Sequence, residues 1–265
     1  MTMNDLALKT IAARGLPRSG KDVWRNDLFV VRLRNFIALE PSDLADLRDV
    51  VETEVAVKKR RDLVLDGYHF NKLGFITQGF AARYKLLRNG KRQIINFLLP
   101  GDVIGIPGSF LDRAANSVVA VSDMRLKICP LEAFVALCCR RPKFALALSW
   151  LMAQEAAIYA EHIVNIGRRK PIERLAHLLL EIHARLVAVD HAGQTAFDMP
   201  FTQEMLSDAL GLSVPHLNRT LAQLRVEGIL AVNERRIEFR DTNALARLAQ
   251  FQPINPGRIP VCGSD

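Results

Sequence analysis

The sequence lacks any long uninterrupted apolar segment. Nearly half of its 265 residues are apolar, yet no apolar run reaches the roughly 18 to 20 residues that a membrane-spanning helix needs. The first twenty residues, MTMNDLALKTIAARGLPRSG, include basic residues but not the continuous apolar stretch of a secretory signal. We therefore expect no membrane partner and a cytoplasmic location.

Cysteine is scarce and is not arranged for metal binding. The four cysteines are Cys129, Cys138, Cys139 and Cys262, and none forms a C-x-x-C pair or a cluster with histidine. This pattern argues against a zinc site or a cysteine-ligated iron–sulfur cluster, so we expect no metal and no cofactor. We expect the adjacent residues Cys138 and Cys139 to be two buried or half-buried thiols. A redox role is the alternative.

Acidic residues are fewer than basic ones, and the net charge is +8. Lys and Arg outnumber Asp and Glu by 12 to 9 in residues 1–61, by 12 to 8 in residues 62–165 and by 11 to 10 in residues 166–250. A basic chain suits a polyanionic partner, but this surplus is spread out. The charge alone therefore does not locate a binding surface.

The first half of the chain has the pattern of an all-β domain. A short helix with Ser42 as its cap is expected after Pro41. From about residue 54 to 127, short strands alternate with turn signals at Asp66-Gly67, Asn89-Gly90 and Pro100-Gly101. Strands at this spacing predict a sandwich or jelly roll rather than a parallel sheet with crossover helices.

Helical patterns follow. After a short helix over CPLEAFVALCCRR, the chain runs for 24 residues, 143–166, without Gly or Pro until Gly167. Within this stretch, apolar residues recur at intervals of four or three residues, which is the pattern of a two-helix seam. A buried core helix is the alternative, and the length of the helix favours a dimer seam. The seam residues are Leu148, Met152, Ala156, Tyr159, Ile163 and Ile166.

The segment after Lys170-Pro171 has the signals of a winged helix-turn-helix. An amphipathic helix, IERLAHLLLEIHARLVAV, precedes two short helices with Thr202 and Ser213 at their capping positions and Gly211 in the turn between them. Two short strands around Asn233-Glu234 would form the wing. Residues 251–265 contain three prolines and are expected to form a loose tail.

The second of these helices has two different faces. Leu217, Leu221 and Leu224 are expected to face inward, while Pro215 and Arg219 lie on the opposite side. Arginine can bond guanine O6 and N7, asparagine can pair with adenine, and capping hydroxyls and helix N-termini can hold phosphates. The candidate DNA-binding residues are Thr202, Gln203, Ser213, Val214, Pro215, His216, Asn218, Arg219, Arg235 and Arg236.

The chain resembles the Crp/Fnr superfamily of bacterial transcription regulators over roughly residues 28 to 245. The resemblance rests on ITQGFAARYK, LPGDVIGIPGSF, NIGRRKPIERLAHLLLEI and FTQEMLSDALGLSVPHLNRTLAQLRVEGIL. It implies an α+β fold with an N-terminal double-stranded β-helix (a jelly-roll-like β-roll), a long dimerisation helix and a C-terminal winged helix-turn-helix. Arg219 matches the family's base-reading arginine, and Pro215 replaces a family glutamate that often contacts bases. His216 and Asn218 are candidates for its role.

The resemblance also predicts a degenerate effector pocket. Cyclic-nucleotide-binding members use a Gly-Glu pair and an Arg-Ser pair in the roll, and the matching residues here lack both charges. These residues are Gly105, Ile106, Asn116 and Ser117, with Tyr159 and Ala160 at the long-helix positions that meet the purine. A buried phosphodiester without its arginine would cost several kcal/mol, so binding of cyclic AMP in the family's way is not expected.

The roll also lacks the cysteine and histidine side chains that would hold an iron–sulfur cluster or a haem. Residues 1–128 contain no cysteine for an iron–sulfur cluster, and His69 is the only histidine of the roll. The roll either binds an unidentified effector, an apolar one being favoured by Ile106, Pro107 and Phe110, or is a structural spacer. A signal would act at the junction of residues 167–170, where a glycine and a proline flank the boundary.

These observations predict five segments and a non-enzymatic function. The segments are an N-terminal extension (1–27), a cyclic-nucleotide-binding-like sensor roll (28–140), a dimerisation helix (141–169), a winged helix-turn-helix domain (170–250) and a tail (251–265). We expect a homodimer on a pseudo-palindromic duplex DNA operator, with RNA polymerase as a further partner that the resemblance implies. The alternative is a small-molecule-binding roll whose winged domain mediates protein contacts only.

Overall fold

The computed structural model describes residues 26–254, so Cys262 and most of the expected N-terminal extension and tail lie outside the described residues. Two helices open this part, α1 (Leu28–Arg34) and α2 (Pro41–Asp49). The sequence pattern had not predicted α1, although Asp27 caps it by accepting a hydrogen bond from the Phe29 amide.

The start of α2 differs from the expectation by two residues. The cap is Glu40 rather than Ser42, because Pro41 occupies the first helical turn, where its missing N–H costs nothing. The Glu40 amide donates to the carboxylate of Asp43 over 2.8 Å, which completes a capping box.

Two four-stranded antiparallel sheets form the roll. One sheet has the strand order β1-β8-β3-β6 and the other β2-β7-β4-β5. The strands are β1 (Thr53–Val57), β2 (Asp62–Val64), β3 (Lys72–Gln78), β4 (Ala81–Leu86), β5 (Arg92–Leu98), β6 (Val103–Ile104), β7 (Ser117–Ala120) and β8 (Met124–Pro130). Val55, Leu63, Ile76, Leu98 and Leu126 belong to the cluster of buried side chains in this roll. The predicted jelly-roll class is confirmed.

The hairpin between β4 and β5 is looser than a two-residue Asn-Gly turn. The Leu87 amide donates to the Lys91 carbonyl, so three residues form its tip, and the Asn89 side chain accepts from the Lys91 amide over 3.0 Å. Gly90 has a φ of +78°. The glycine thus supplies the left-handed residue of a longer loop rather than half of a two-residue turn.

Helices connect the roll to the C-terminal domain. α3 (Leu131–Arg140) leads into α4 (Pro142–Gly167), whose 26 residues span about 39 Å at 1.5 Å per residue. The first half of α4 packs with α1, α2 and α3 on the roll, in a cluster that includes Phe29, Phe75 and Phe144. No helix among residues 26–254 is long and apolar enough to span a membrane.

The C-terminal domain is a winged helix-turn-helix. Its elements are α5 (Pro171–Val187), β9 (Ala196–Asp198), α6 (Gln203–Leu210), α7 (Val214–Val226), β10 (Leu230–Asn233), β11 (Arg236–Phe239) and α8 (Thr242–Ala249). The three strands form one antiparallel sheet in the order β10-β11-β9. Helix α8, capped by Asp241, had not been predicted.

The winged domain packs directly on the roll. One apolar cluster contains Ile94 and Phe97 of the roll together with Leu179 of α5 and Leu206 of α6. At its edge, Arg92 of β5 pairs with Asp208 of α6 at 2.7 Å. The position of the helix-turn-helix is therefore determined by contacts with the sensor roll as well as by α4.

Candidate nucleic-acid interface and sensor pocket

The helix-turn-helix is built from local capping contacts. Thr202 Oγ1 accepts from the Met205 amide at 3.2 Å, and Ser213 Oγ accepts from the His216 amide at 3.4 Å. Gly211 ends α6 with a φ of +65°, a left-handed conformation that glycine adopts without strain. Both predicted caps and the predicted turn glycine are present as expected.

Helix α7 presents the predicted outward face. Leu217 and Leu224 are fully buried and Leu221 is half-buried, which fixes the rotation of the helix. The opposite face is exposed and carries Pro215, Asn218, Arg219, Ala222 and Val226. Val226 is 88% exposed, a high value for a large apolar side chain. The arginine is thus presented at the surface beside small and apolar groups.

The remaining candidate residues border this face. Gln203 is exposed at the start of α6, while Val214 and His216 are half-buried in the first turn of α7. Arg235 and Arg236 are exposed at the tip of the wing, where Arg236 pairs with Asp198 of β9 at 3.2 Å. The two helix N-termini and the wing tip therefore leave polar groups accessible around α7.

The predicted effector pocket contains a buried arginine that the sequence reading missed. Arg83 of β4 is 1% exposed, and its guanidinium donates to Glu155 and Tyr159 of α4. It also donates to the Ile106 carbonyl at 2.6 Å and approaches the Asn96 side chain at 3.4 Å. The pocket thus holds a positive charge, but from a different strand than the family's pair.

This arginine is neutralised within the chain. Burial by itself would raise the pKa of Glu155, but Arg83 outweighs it and the pKa is lowered. Burial would likewise lower the pKa of Arg83, but Glu155 raises it above its ordinary value. Both groups are therefore charged, and the pair leaves no excess charge for a phosphodiester.

The predicted pocket residues are only partly brought together. Gly105 has a φ of +106°, and a Cβ there would lie 2.4 Å from the Lys72 carbonyl oxygen. Ile106 and Tyr159 are linked by Arg83, which donates to the carbonyl of the first and to the hydroxyl of the second. The Ser117 hydroxyl accepts from the Asp66 amide at 3.0 Å, Asn116 is half-buried, and Ala160 is exposed on α4.

The predicted seam residues differ in exposure. Ile163 is 72% exposed, Met152, Ile166 and Ala156 are also exposed, and Leu148 is half-buried beside α1 and α2. The hydroxyl of Tyr159 forms a hydrogen bond within its own chain, donating to Glu155 at 2.6 Å. Ala153, Ala160 and Val164 are further exposed apolar residues of α4.

The junction of α4 with α5 is tied by several contacts. Arg169 donates to Asn165 and to Glu161, each at 2.8 Å, and its carbonyl accepts from Arg174 Nε at 2.8 Å. Deeper in the contact between the helices, His162 of α4 bonds Glu181 of α5 at 2.6 Å. A rotation of the winged domain on α4 would have to break the His162–Glu181 bond, which joins the two helices.

Metal ligands are not assembled in the described part of the chain. Residues 26–254 contain no group of three or more His, Cys, Asp or Glu side chains placed to hold a metal ion. Burial raises the pKa of the Cys129 thiol to about 12 and also raises that of Cys138. These two thiols are therefore poor nucleophiles near neutral pH. The expected burial of the adjacent cysteines holds for Cys138, which is half-buried, and is wrong for Cys139, which is exposed.

Two family models match the chain. The model of a Crp-like helix-turn-helix domain matches residues 173–248, and the model of a cyclic nucleotide-binding domain matches residues 54–141. The first match covers the helix-turn-helix and its wing. The second covers the strands of the roll and α3.

Relatives and solved structures agree with these matches. The nitrogen fixation regulation protein FixK of Bradyrhizobium diazoefficiens is 30% identical over 175 residues, which are 66% of this chain and 72% of that protein. An anaerobic regulatory protein of Pasteurella multocida is 25% identical over 94% of this chain and 91% of its own length. The structure of FixK2 from Bradyrhizobium japonicum superposes with a TM-score of 0.68 and 27% identity, over 74% of this chain and 96% of that one. The chain therefore belongs to the Crp/Fnr superfamily of bacterial transcription regulators.

Proposed function

We propose that this transcription regulator binds a pseudo-palindromic operator as a homodimer and reads bases with the exposed face of α7. The observation that carries the proposal is the exposure of Arg219 and Asn218 on the side opposite to the buried leucines. Arginine recognises guanine O6 and N7 in the major groove, and asparagine recognises adenine N6 and N7. Ala222 allows close approach, and Val226 offers an apolar contact for a thymine methyl group.

The other candidate residues take positioning roles in this proposal. Thr202, Gln203 and Ser213 lie at helix N-termini, where side-chain groups and backbone amides favour phosphate oxygens. Val214, Pro215 and His216 form the first turn of α7, which lies nearest to the bases in such complexes. Arg235 and Arg236 would contact phosphates from the wing.

Dimerisation is proposed through the exposed apolar stripe of α4. Met152, Ala156 and Ile163 from the predicted seam lie on this stripe, and Ala153 and Ala160 extend it. Apolar residues that recur at intervals of three and four on one face of a helix are the pattern by which two helices pair. Leu148, Tyr159 and Ile166 flank the stripe. In the dimer, the two α7 helices would lie about 34 Å apart, as one turn of DNA requires.

The proposed functions map onto the chain in sequence order. Residues 1–27 form an extension, 28–140 the sensor roll, 141–169 the dimerisation helix, 170–250 the DNA-binding domain and 251–265 a tail. RNA polymerase is a further proposed partner, as for other regulators that act at promoters. The neutralised Arg83 supports a roll that does not bind cyclic AMP in the family's way.

Comparing two arginine substitutions tests base reading by α7. Arg219→Ala should weaken binding to an operator selected from random DNA by about 1–3 kcal/mol and relax one base position. Arg247→Ala removes the same charge from an exposed site on α8 and should change affinity by less than about 0.5 kcal/mol. Equal losses on specific and nonspecific DNA for Arg219→Ala would mean that this side chain touches only phosphate.

A charge placed in the stripe tests the dimer. Ala156→Glu would put two carboxylates at the centre of the proposed seam and should shift the protein to monomers in sedimentation velocity. Ala136→Glu, on an exposed position of α3, is the matched control and should leave the dimer intact. A wild-type protein that sediments as a monomer at micromolar concentration would contradict the proposal.

A further inference from the structure

A second cavity lies apart from the family's nucleotide pocket. It is bounded by α1, the loop before β6, one side of α4, α5 and the segment that follows α8, and it has a volume of about 120 Å³. We refer to it as the interdomain cavity. Trp150, Ile158, Val189, Phe251, Pro253 and Ile254 form its apolar wall. None of the residues predicted for the effector pocket lines it.

The interdomain cavity faces away from the proposed dimer stripe. Trp150 and Ile158 lie on the side of α4 turned toward α1 and α5, whereas Ala156 and Ile163 are exposed on another side of the same helix. Dimerisation through the stripe would therefore leave the cavity within each chain. Its walls come from both the sensor half and the winged half of one protomer.

The charged groups on the cavity wall are already balanced. Arg32 and Arg185 both pair with Asp102, and Arg185 also pairs with Glu181 at 2.9 Å. The carboxylate of Glu161, the third on this wall, pairs with Arg169 at 2.8 Å. With the positive charges matched in this way, a bound anion would lack a free counter-charge, and an uncharged ligand is favoured.

Arg185 offers no reachable donor to a molecule in the cavity. Its Nη1 donates to Glu181, and its Nη2 donates to Asp102 and to the Phe97 carbonyl. Its Nε has no hydrogen-bond partner among the described residues, but this atom is buried and a ligand in the cavity cannot contact it. The wall therefore favours an apolar ligand over one that needs a hydrogen bond from Arg185.

We propose that the interdomain cavity is a binding site for a small, uncharged, apolar molecule no larger than a benzene ring. A dry apolar cavity of roughly 150 Å³ holds one benzene ring, and this cavity is smaller, at about 120 Å³. The ligand therefore has about six non-hydrogen atoms or fewer. Anionic nucleotides are too large and carry the wrong charge.

A ligand in the interdomain cavity would stabilise one orientation of the DNA-binding domain relative to the roll and α4. Glu181 and Arg185 belong to α5, the first helix of the winged domain, while Ile158 belongs to α4 and Asp102 to the roll. A molecule in contact with all three elements binds more tightly to the arrangement that brings them together, and stabilises it by that difference in affinity. This second step rests on the proposed function, whereas binding itself does not.

Calorimetric titration of the full chain with benzene tests the site without DNA. We expect saturable binding of one benzene per chain and no saturable binding of cumene, whose nine non-hydrogen atoms exceed the size of the cavity. Absence of saturable benzene binding, or equally tight binding of cumene, overturns the proposal.

Two alanine substitutions locate the binding. Ala184 lies on the cavity wall, so Ala184→Leu should fill it and abolish benzene binding, while Ala136→Leu on α3 should leave binding unchanged. Thermal melts with and without benzene give a second readout, because a ligand raises the melting temperature only of a variant that binds it. Unchanged binding to a folded Ala184→Leu protein would refute the location.

Operator binding measured with and without benzene then tests the coupling. We expect at least a threefold change in operator affinity in the wild type and none in Ala184→Leu. Saturable binding with unchanged operator affinity would retain the site and reject its regulatory role. Failure of the wild type to bind any DNA would instead reject the proposed function and leave the calorimetric result standing.

Discussion

Arg83 and Glu155 should be energetically coupled, because each is the counter-charge of the other inside the roll. Arg83→Met would leave the Glu155 carboxylate buried with only its bonds to Tyr159 and Asn96. Breaking a buried ion pair by removing one partner costs about 3–5 kcal/mol. Over a chain of this size, that corresponds to a drop of about 6 to 20 °C in melting temperature.

The double variant Arg83→Met/Glu155→Met should be much less destabilised than the sum of the two single variants. It removes both charges, and the remaining cost of about 1–2 kcal/mol comes from the Tyr159 hydroxyl and the Ile106 carbonyl, which lose a partner. The difference gives a coupling energy of several kcal/mol in a double-mutant cycle.

Urea unfolding followed by circular dichroism, at one fixed protein concentration, measures this cycle. The fixed concentration matters because dimer formation makes the apparent stability depend on it. Single variants that each lose less than about 1 kcal/mol, or a double variant that loses the full sum of the singles, would refute the reasoning that the two groups neutralise each other.

Two further predictions concern pH and backbone conformation. Burial lowers the pKa of His162, but its interaction with Glu181 outweighs burial and raises the pKa above the ordinary 6.5. The His162–Glu181 pair therefore stabilises the folded chain fully below about pH 6.5, and this contribution is lost as the pH rises through the raised pKa. His162→Gln should remove this decline of the free energy of unfolding in urea above pH 6.5. His177, with its lowered pKa, titrates below pH 6.5 and does not contribute to the decline. An unchanged decline would contradict the assignment to His162. Gly105→Ala should lower the free energy of unfolding by more than about 2 kcal/mol, because the added Cβ would lie 2.4 Å from a backbone carbonyl oxygen. Gly90→Ala, which is also at positive φ but in open space, should lower it by only about 1–2 kcal/mol. Equal losses in urea unfolding would contradict the steric argument.

The winged domain was predictable from sequence because its signals are local. Thr202, Ser213 and Gly211 act on amides and dihedrals within four residues of themselves, so capping and turn chemistry read in the sequence survive in the fold. The rotation of α7 follows from the spacing of Leu217 and Leu224 alone. Tertiary contacts add to these preferences and do not oppose them.

The helices α1 and α8 were missed although their signals are present. Asp27 precedes the apolar pattern of LFVVRLR, and Asp241 precedes TNALARLA with Leu245 and Ala249 on one face. Both helices have only two turns, where pattern is weak, and their stability comes from packing on the roll and on α5. Local propensity was insufficient to distinguish them from loops.

The buried charges could not be predicted from sequence because they depend on contacts between distant segments. Arg83 lies in AARYKLL, where alternation fits a strand with a solvated arginine, and its partner Glu155 is 72 residues away. The sequence pattern likewise predicts Arg185 to be a polar residue of an amphipathic helix, but in the structure it pairs with Asp102 across the domain boundary. The packing of α4 on the roll brings the first pair together, and the packing of α5 on the roll brings the second pair together.

The central claim is that Arg219 reads a guanine through its N7 and O6 atoms, and a cycle between protein and DNA tests it most directly. The guanine at the base position that Arg219→Ala relaxes is replaced in the selected operator by 7-deazaguanine, which lacks the N7 acceptor. Operator affinity is then measured for the wild type and for Arg219→Ala. We predict that the replacement weakens wild-type binding by about 1 kcal/mol and leaves the affinity of Arg219→Ala unchanged. Equal weakening of both proteins, or of neither, would contradict base reading by Arg219.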